Sequence, residues 1–134
     1  MATQTITAVG YKAAWTMYIY KNTRYYKKFT IKTAAGAVVD IRGWTILFTA
    51  KTPGDLVVDT TDVTAIIKVN TVVGPADADG ALGIFYLDIP DSSTNVVEQK
   101  LECDFIYISG TERYPLMKFS GKVVENVTNR ESAI

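Results

Sequence analysis

Asp77-Ala-Asp-Gly80 is the stretch of this chain that comes nearest to a chemical motif. An Asp-x-Asp-Gly run offers two hard carboxylate ligands beside a sharp turn, the opening of a calcium loop. Asp55, Asp59 and Asp62 in earlier loops complete the only oxygen cluster the sequence offers. The run lacks the third and fourth ligand positions and the closing glutamate at the required spacing. A solvated turn is therefore expected, with weak calcium binding at Asp77 and Asp79 as the alternative.

Other chemistries have little to draw on. The chain has no histidine and one cysteine, Cys103. Those counts exclude Ser-His-Asp and Cys-His nucleophiles, histidine zinc sites, four-cysteine metal sites, CxxC redox pairs and an internal disulfide. Gly-rich phosphate loops of the GxxxxGK(S/T) or GxGxxG type do not occur. A hydrolase would have to work with carboxylates or lysine alone, which needs two acids flanking a cleft. The reading is a protein that is not an enzyme and carries no cofactor and no metal. Cys103, between Glu102 and Asp104 in an alternating segment, is expected to be a buried, inert thiol. Asp104 is expected to face solvent or to pair with a lysine across a hairpin.

What the N-terminal region does offer is aromatic and basic together. Tyr18, Tyr20 and Tyr25 lie close in sequence to Lys27 and Lys28. Such mixtures suit wet, hydrogen-bonding protein interfaces, and these five residues are the candidate protein–protein contact positions. Stacking of sugars or single-stranded nucleic acid is the rival use, and tyrosines packed in the core with only their hydroxyls in water the plain one. Before Asp40 the charged residues are Lys12, Lys21, Arg24, Lys27, Lys28 and Lys32, with no acid among them. With a net charge of zero, that is +6 there and, by difference, −6 in the remainder. A basic side and an acidic side suit head-to-tail or ring assembly, in a homo-oligomer such as a trimer or hexamer. The neutral total and the lack of Arg-rich tracts argue against nucleic acid.

The elements that position these residues read as short strands. At 134 residues the chain is one domain, with 48% hydrophobic and 21% charged residues, an ordinary globular balance. No run approaches the length of about 18 apolar residues that a membrane helix needs. The N-terminus lacks the basic start of a signal peptide, which argues for synthesis in a cytoplasm. Trp15–Tyr20 and Tyr25–Lys32 are the first strands, divided by a turn at Lys21-Asn22. Val38–Gly43 leads into Trp44–Lys51, whose Trp44, Ile46, Phe48 and Ala50 share the core face. Leu56–Val58 and Thr64–Val69 are short strands, and Gly74–Gly80 is a loop. Ala81–Ile89 puts Phe85, Leu87 and Ile89 opposite Leu82, Ile84, Tyr86 and Asp88. Pro90–Val97 fits one helical turn. Leu101–Ile108 and Tyr114–Val127 form the closing hairpin about Ser109–Arg113. Strand spacing near ten residues with no long helical pattern gives an all-β, antiparallel sandwich of about seven or eight strands with one short helical turn. Residues 1–20 are an N-terminal arm or first strand, 21–130 the sandwich and 131–134 a tail.

Four stretches, taken together, carry a resemblance. They are Gly36-Ala-Val-Val-Asp-Ile-Arg-Gly-Trp44 with the strand after it, Asp79-Gly-Ala-Leu-Gly-Ile-Phe-Tyr-Leu87 followed by Asp91-Ser-Ser-Thr94, Leu101-Glu-Cys-Asp-Phe-Ile-Tyr107, and Phe119-Ser-Gly-Lys-Val-Val-Glu-Asn-Val-Thr-Asn-Arg130. In order and spacing they resemble the immunoglobulin-like sandwich domains of tailed-phage virion proteins, above all the N-terminal domain of upper baseplate proteins. Those domains carry a G-x-x-x-D-(L/I)-(T/S)-G turn, where this chain has Arg42 in place of the small hydroxyl residue. Their closing V-T-R is interrupted here by Asn129. The resemblance covers roughly Tyr25 to Arg130. It implies an immunoglobulin-like fold and a non-enzymatic structural subunit of a tailed-phage virion (tail, baseplate, neck or capsid-associated), made in the host cytoplasm. Its partners would be other virion proteins. The alternative is a carbohydrate-binding or host-adhesion module, with a glycan as its ligand.

Overall fold

The computed structural model describes residues 3–6, 11–54 and 61–127. Among the described residues there are eight strands: β1 (Thr3–Ile6), β2 (Tyr11–Tyr20), β3 (Tyr25–Ile31), β4 (Thr45–Lys51), β5 (Ile67–Val72), β6 (Ile84–Ile89), β7 (Gln99–Ser109) and β8 (Glu112–Val124). One helical turn, α1 (Ala78–Ala81), precedes β6, and a 3-10 turn at Asp91–Ser93 follows it. The expected strand Leu56–Val58, the Asp55 and Asp59 candidates, the 131–134 tail and the end of the Thr128–Arg130 motif lie outside the described residues. So does most of the proposed N-terminal arm before Tyr11, apart from Thr3–Ile6.

The strands make a three-stranded sheet, β1-β3-β6, and a five-stranded sheet, β2-β8-β7-β4-β5. Their inner faces meet through the five phenylalanines. The Phe105 ring lies 5.1 Å from Phe29 and 5.5 Å from Phe85 across the gap, and 5.3 Å from Phe119 and 5.5 Å from Phe48 within its own sheet. Edge-on and tilted ring pairs of this kind add to simple burial. Period-2 alternation does the rest: Ile46, Phe48 and Ala50 of β4 and Phe85, Leu87 and Ile89 of β6 are all buried, as their faces predict. Trp44 is a correction in degree. It sits at the rim of the core, half-buried, stacked on Tyr107 at 3.8 Å with the rings 6° from parallel.

The sheets are mixed, which corrects the expected antiparallel arrangement. β1 runs parallel to β3, and β2 parallel to β8. Alternation reports which way side chains point and is blind to strand direction. Here β1 lies in one sheet, β2 in the other and β3 back in the first, so neither N-terminal strand forms a hairpin with its successor. β5 also begins later than expected. Asp62 takes a left-handed conformation, φ 52°, and its carbonyl accepts from the Ala65 N–H at 3.0 Å, which holds 62–65 as a turn. The 74–80 loop is shorter than expected because Asp77 caps α1, its carboxylate accepting from the Gly80 N–H at 3.0 Å.

The motif residues hold the fold. Gly43 has φ 83° at the turn into β4, and Gly83 has φ 76° with carbonyl oxygens of Ile31 and Val39 crowding the place of a Cβ. The Thr94 hydroxyl is buried and donates to the Thr23 carbonyl at 2.7 Å, tying the β6–β7 crossover to the β2–β3 turn. In the β7–β8 hairpin, Phe105 pairs with Met117 and Ile106 with Pro115, leaving Leu116 as an extra residue. Pro115 has no N–H for the ladder, and the bulge lets both Leu116 and Met117 face inward.

Candidate protein–protein interface

The outer face of the five-stranded sheet is the broadest surface built from regular strands. Register fixes its rows. Val72, Thr45, Ile108 and Arg113 form one cross-strand row, and Asn70, Leu47, Ile106 and Pro115 the next. Then come Lys68, Thr49, Asp104 and Lys118; then Lys51, Glu102, Ser120 and Thr16; then Lys100, Lys122 and Tyr18. The face therefore grades from an apolar end, where Val72 is 75% exposed, to a lysine–tyrosine end.

At the lysine–tyrosine end lie two of the five predicted contact residues. Met17 and Ile19 of β2 are buried, so Tyr18 and Tyr20 point outward and are 55% and 52% exposed. The other three go elsewhere. Tyr25 lies on the inner side of β3 opposite Ile89, half-buried, its hydroxyl pushed up to about 12 by burial and by neighbouring Cys103. Lys27 shares that inner side opposite Leu87, half-buried, and Lys28 is on the outer side beside Tyr86. The structure thus divides the five among three faces. The N-terminal block of positive charge is divided likewise: Arg24 pairs with Asp88, and Lys21 lies 3.5 Å from Glu125.

In the middle of the outer face the charges alternate. Burial holds the Asp104 carboxyl above its ordinary range; Lys118 and Lys51 act against that shift and Asp62 adds to it. Asp62 reaches over to Lys51 at 3.1 Å, and Lys68 donates to the Thr61 carbonyl at 2.9 Å. These contacts seat residues 61–62 on the sheet beside an open hollow of about 380 Å³ lined by Leu47, Thr49, Asp62, Lys68 and Asn70. The expected thiol is buried: Cys103 faces inward and is pushed up to about 12 by burial.

A second cluster, on the outer face of the three-stranded sheet, was not legible in the sequence. Arg24 donates from Nε and from its terminal nitrogen to the two oxygens of Asp88, both at 2.8 Å. Its guanidinium lies 4.4 Å from the Tyr26 ring centre, and Tyr26 meets Tyr86 edge-on at 5.5 Å. The hydrogen bond from Arg24 lowers the Asp88 carboxyl below its ordinary range. Tyr86 donates to Asp79 at 3.5 Å, and burial followed by Asp79 raises the Tyr86 hydroxyl. Alternation already placed Tyr86 and Asp88 on one face. Nothing local pairs Asp88 with an arginine 64 residues earlier.

The two calcium candidates have these other roles, Asp77 as a helix cap and Asp79 as the acceptor for Tyr86. Among the described residues no group of three or more His, Cys, Asp or Glu side chains converges on one point.

No family model matches the chain, and no curated protein matches it. A solved structure titled "N-terminal domain of phage TP901-1 ORF48" is similar to it, with a TM-score of 0.49 and 12% identity, over 90% of this chain and 93% of that one.

Proposed function

We propose that this chain is a structural protein of a tailed-phage virion, an immunoglobulin-like sandwich that docks on other particle proteins and on copies of itself without catalysing a reaction. The observation that carries the reading is the outer face of the five-stranded sheet. Its apolar rows, alternating charges and exposed tyrosines make a surface for a protein partner, with apolar area for affinity and charges for register. The same alternation of Lys and Asp/Glu is poorly suited to a polyanion such as nucleic acid. The motifs support the resemblance on which the virion assignment stands, because Gly43, Gly83 and Thr94 each occupy a position their residue type requires.

A glycan module is the second reading, and the Tyr26–Tyr86 pair is the observation that favours it. A sugar needs a free ring face to lie on. The Arg24 guanidinium already covers one face of Tyr26, and Tyr86 meets that ring edge-on. Protein docking is the better fit.

The test is quantitative mass spectrometry of purified virions of the phage whose genome encodes this chain. The expected result is the chain at a fixed copy number per particle, a multiple of three or six if the assembly is trimeric or hexameric. Absence from intact particles overturns the reading. Weak binding on a glycan array, together with that absence, would favour the adhesion module.

A further inference from the structure

The two sheets leave four edge strands among the described residues: β1, β6, β2 and β5. Edge strands invite pairing with another chain, and proteins blunt them by shortness, lysine, proline, bulges or a covering segment. Three of the four are blunted. β1 is only four residues long. β2 has an irregularity in register between Lys12 and Thr16. β5 carries exposed Lys68, with residues 61–65 folded beside it.

Among the described residues, β6 is blunted by neither lysine, proline nor bulge. Its sequence, Ile84-Phe-Tyr-Leu-Asp-Ile89, contains no lysine, proline or glycine. Its single charge, Asp88, is already matched by the bidentate contact with Arg24. Leu82, just before the strand, is 54% exposed.

The register identifies the free backbone groups. The Ile31 N–H donates to the Gly83 carbonyl at 2.8 Å, which makes Thr30–Ile84 a non-hydrogen-bonded pair of the β3–β6 ladder. The bonded pairs are then Phe29–Phe85, Lys27–Leu87 and Tyr25–Ile89. Ile84, Tyr86 and Asp88 direct their N–H and C=O groups away from β3, to the open edge.

We infer that β6 is the strand at which a second copy of this chain adds, β6 to β6 and antiparallel, about a twofold axis through Tyr86. A self-pairing must set residues whose backbone groups point outward against each other; centres at Phe85 or Leu87 align only two such pairs within the strand, against three for Tyr86, which leaves Ile84, Tyr86 and Asp88 to compare. Centring on Asp88 sets two carboxylates directly opposite one another, which is unfavourable. Centring on Ile84 leaves Asp88 beyond the paired region. Centring on Tyr86 sets Tyr86 against Tyr86, a favourable aromatic pair, and Ile84 against Asp88 on both sides. The three pairs exchange about six backbone hydrogen bonds. The contact is isologous and closed, so it yields pairs and not fibres. It joins two three-stranded sheets edge to edge and leaves the outer face of each five-stranded sheet free for other partners.

The test combines sedimentation velocity with amide hydrogen exchange on the intact chain. The expected result is a reversible dimer at high concentration, with the Ile84, Tyr86 and Asp88 amides protected there and exchanging fast on dilution. Tyr86→Lys places like charges against each other at the axis and should raise the dimer dissociation constant by about tenfold or more while the chain stays folded. A monomer at all concentrations, edge amides that exchange fast in a dimer, or a dimer of unchanged affinity in Tyr86→Lys would each overturn the pairing. The exchange data need no variant, so they decide the matter even if Tyr86→Lys does not fold. Failure here leaves the virion reading standing, since that rests on a different face and on particle composition.

Discussion

Gly121 and Cys103 are coupled through a contact that a double-mutant cycle can measure. A Cβ built on Gly121 would lie 2.8 Å from the Cys103 Sγ, 3.4 Å from the Leu101 Cβ and 3.6 Å from the Met17 carbonyl oxygen. Ordinary heavy-atom contacts are about 3.5–4.0 Å, so the sulfur alone must move by about 0.7 Å or more. Cys103 is buried on a central strand and has little room to do so. Overpacking of this kind costs about 1–3 kcal/mol. Replacing glycine by alanine in an extended strand returns about 0.4–1 kcal/mol through the unfolded chain. Gly121→Ala should therefore destabilise by about 0.5–2 kcal/mol. In a Cys103→Ala background the sulfur is gone, and the same change should be neutral or stabilising by up to about 1 kcal/mol. The expected coupling is about 1–3 kcal/mol, read from urea denaturation at equilibrium with each variant's slope checked for constancy. Additivity within about 0.5 kcal/mol would refute the contact, and so the inner-face register of β7 against β8.

Gly83→Ala should be worse and beyond rescue, because the added carbon meets backbone, with the Ile31 and Val39 carbonyl oxygens at 2.6 and 2.9 Å, at φ 76°. A loss of about 3 kcal/mol or more is expected, seen as low soluble yield or a large fall in Tm. Thr94→Val keeps the shape and leaves the Thr23 carbonyl without its 2.7 Å donor, for a loss of about 1–3 kcal/mol in chemical denaturation, while Thr94→Ser should retain most of the stability. Asp104 has a folded-state pKa above its unfolded value through burial. Its neutral form is favoured in the fold, so its effect is to reduce stability as pH rises from the unfolded pKa through the folded one. Asp104→Asn should raise stability at neutral pH and make no difference in acid below the unfolded pKa, measured as Tm against pH; a loss at neutral pH would show that its contacts with Lys118 and Lys51 outweigh burial. The Cys103 thiol, pushed up to about 12 and buried, should react with a thiol reagent only as fast as the chain opens. Rapid labelling of the native protein would contradict that burial.

Alternation in the sequence was enough to place most of the described strands and their inner faces. Phe48, Phe85, Leu87 and Ile89 point inward where period 2 requires, because a pleated strand leaves them no other side. A helical turn was legible within Pro90–Val97 and lies at Asp91–Ser93, although Pro90 at its N-cap supplies no side-chain hydrogen bond. Glycine and threonine motifs were legible for a related reason: a left-handed turn or a buried hydroxyl admits few residue types, so the constraint is written locally. Those motifs describe a fold and carry no chemistry of their own, which is why they resemble a family while naming no ligand.

Tertiary structure decided the rest. Strand direction came from the passage of β1, β2 and β3 between sheets, which no local pattern encodes. Charge that is contiguous in sequence was dispersed, since neighbouring residues on a strand face opposite ways and consecutive strands lie in different sheets. Tyr18 and Tyr20 therefore reached an exposed face, while Tyr25 turned inward. Arg24 with Asp88, Gly121 with Cys103 and the open edge of β6 exist only once distant segments have paired. The chain alone specifies which residues of a strand share a face. What the exposed ones can do together depends on which strands become neighbours, and that is settled by packing.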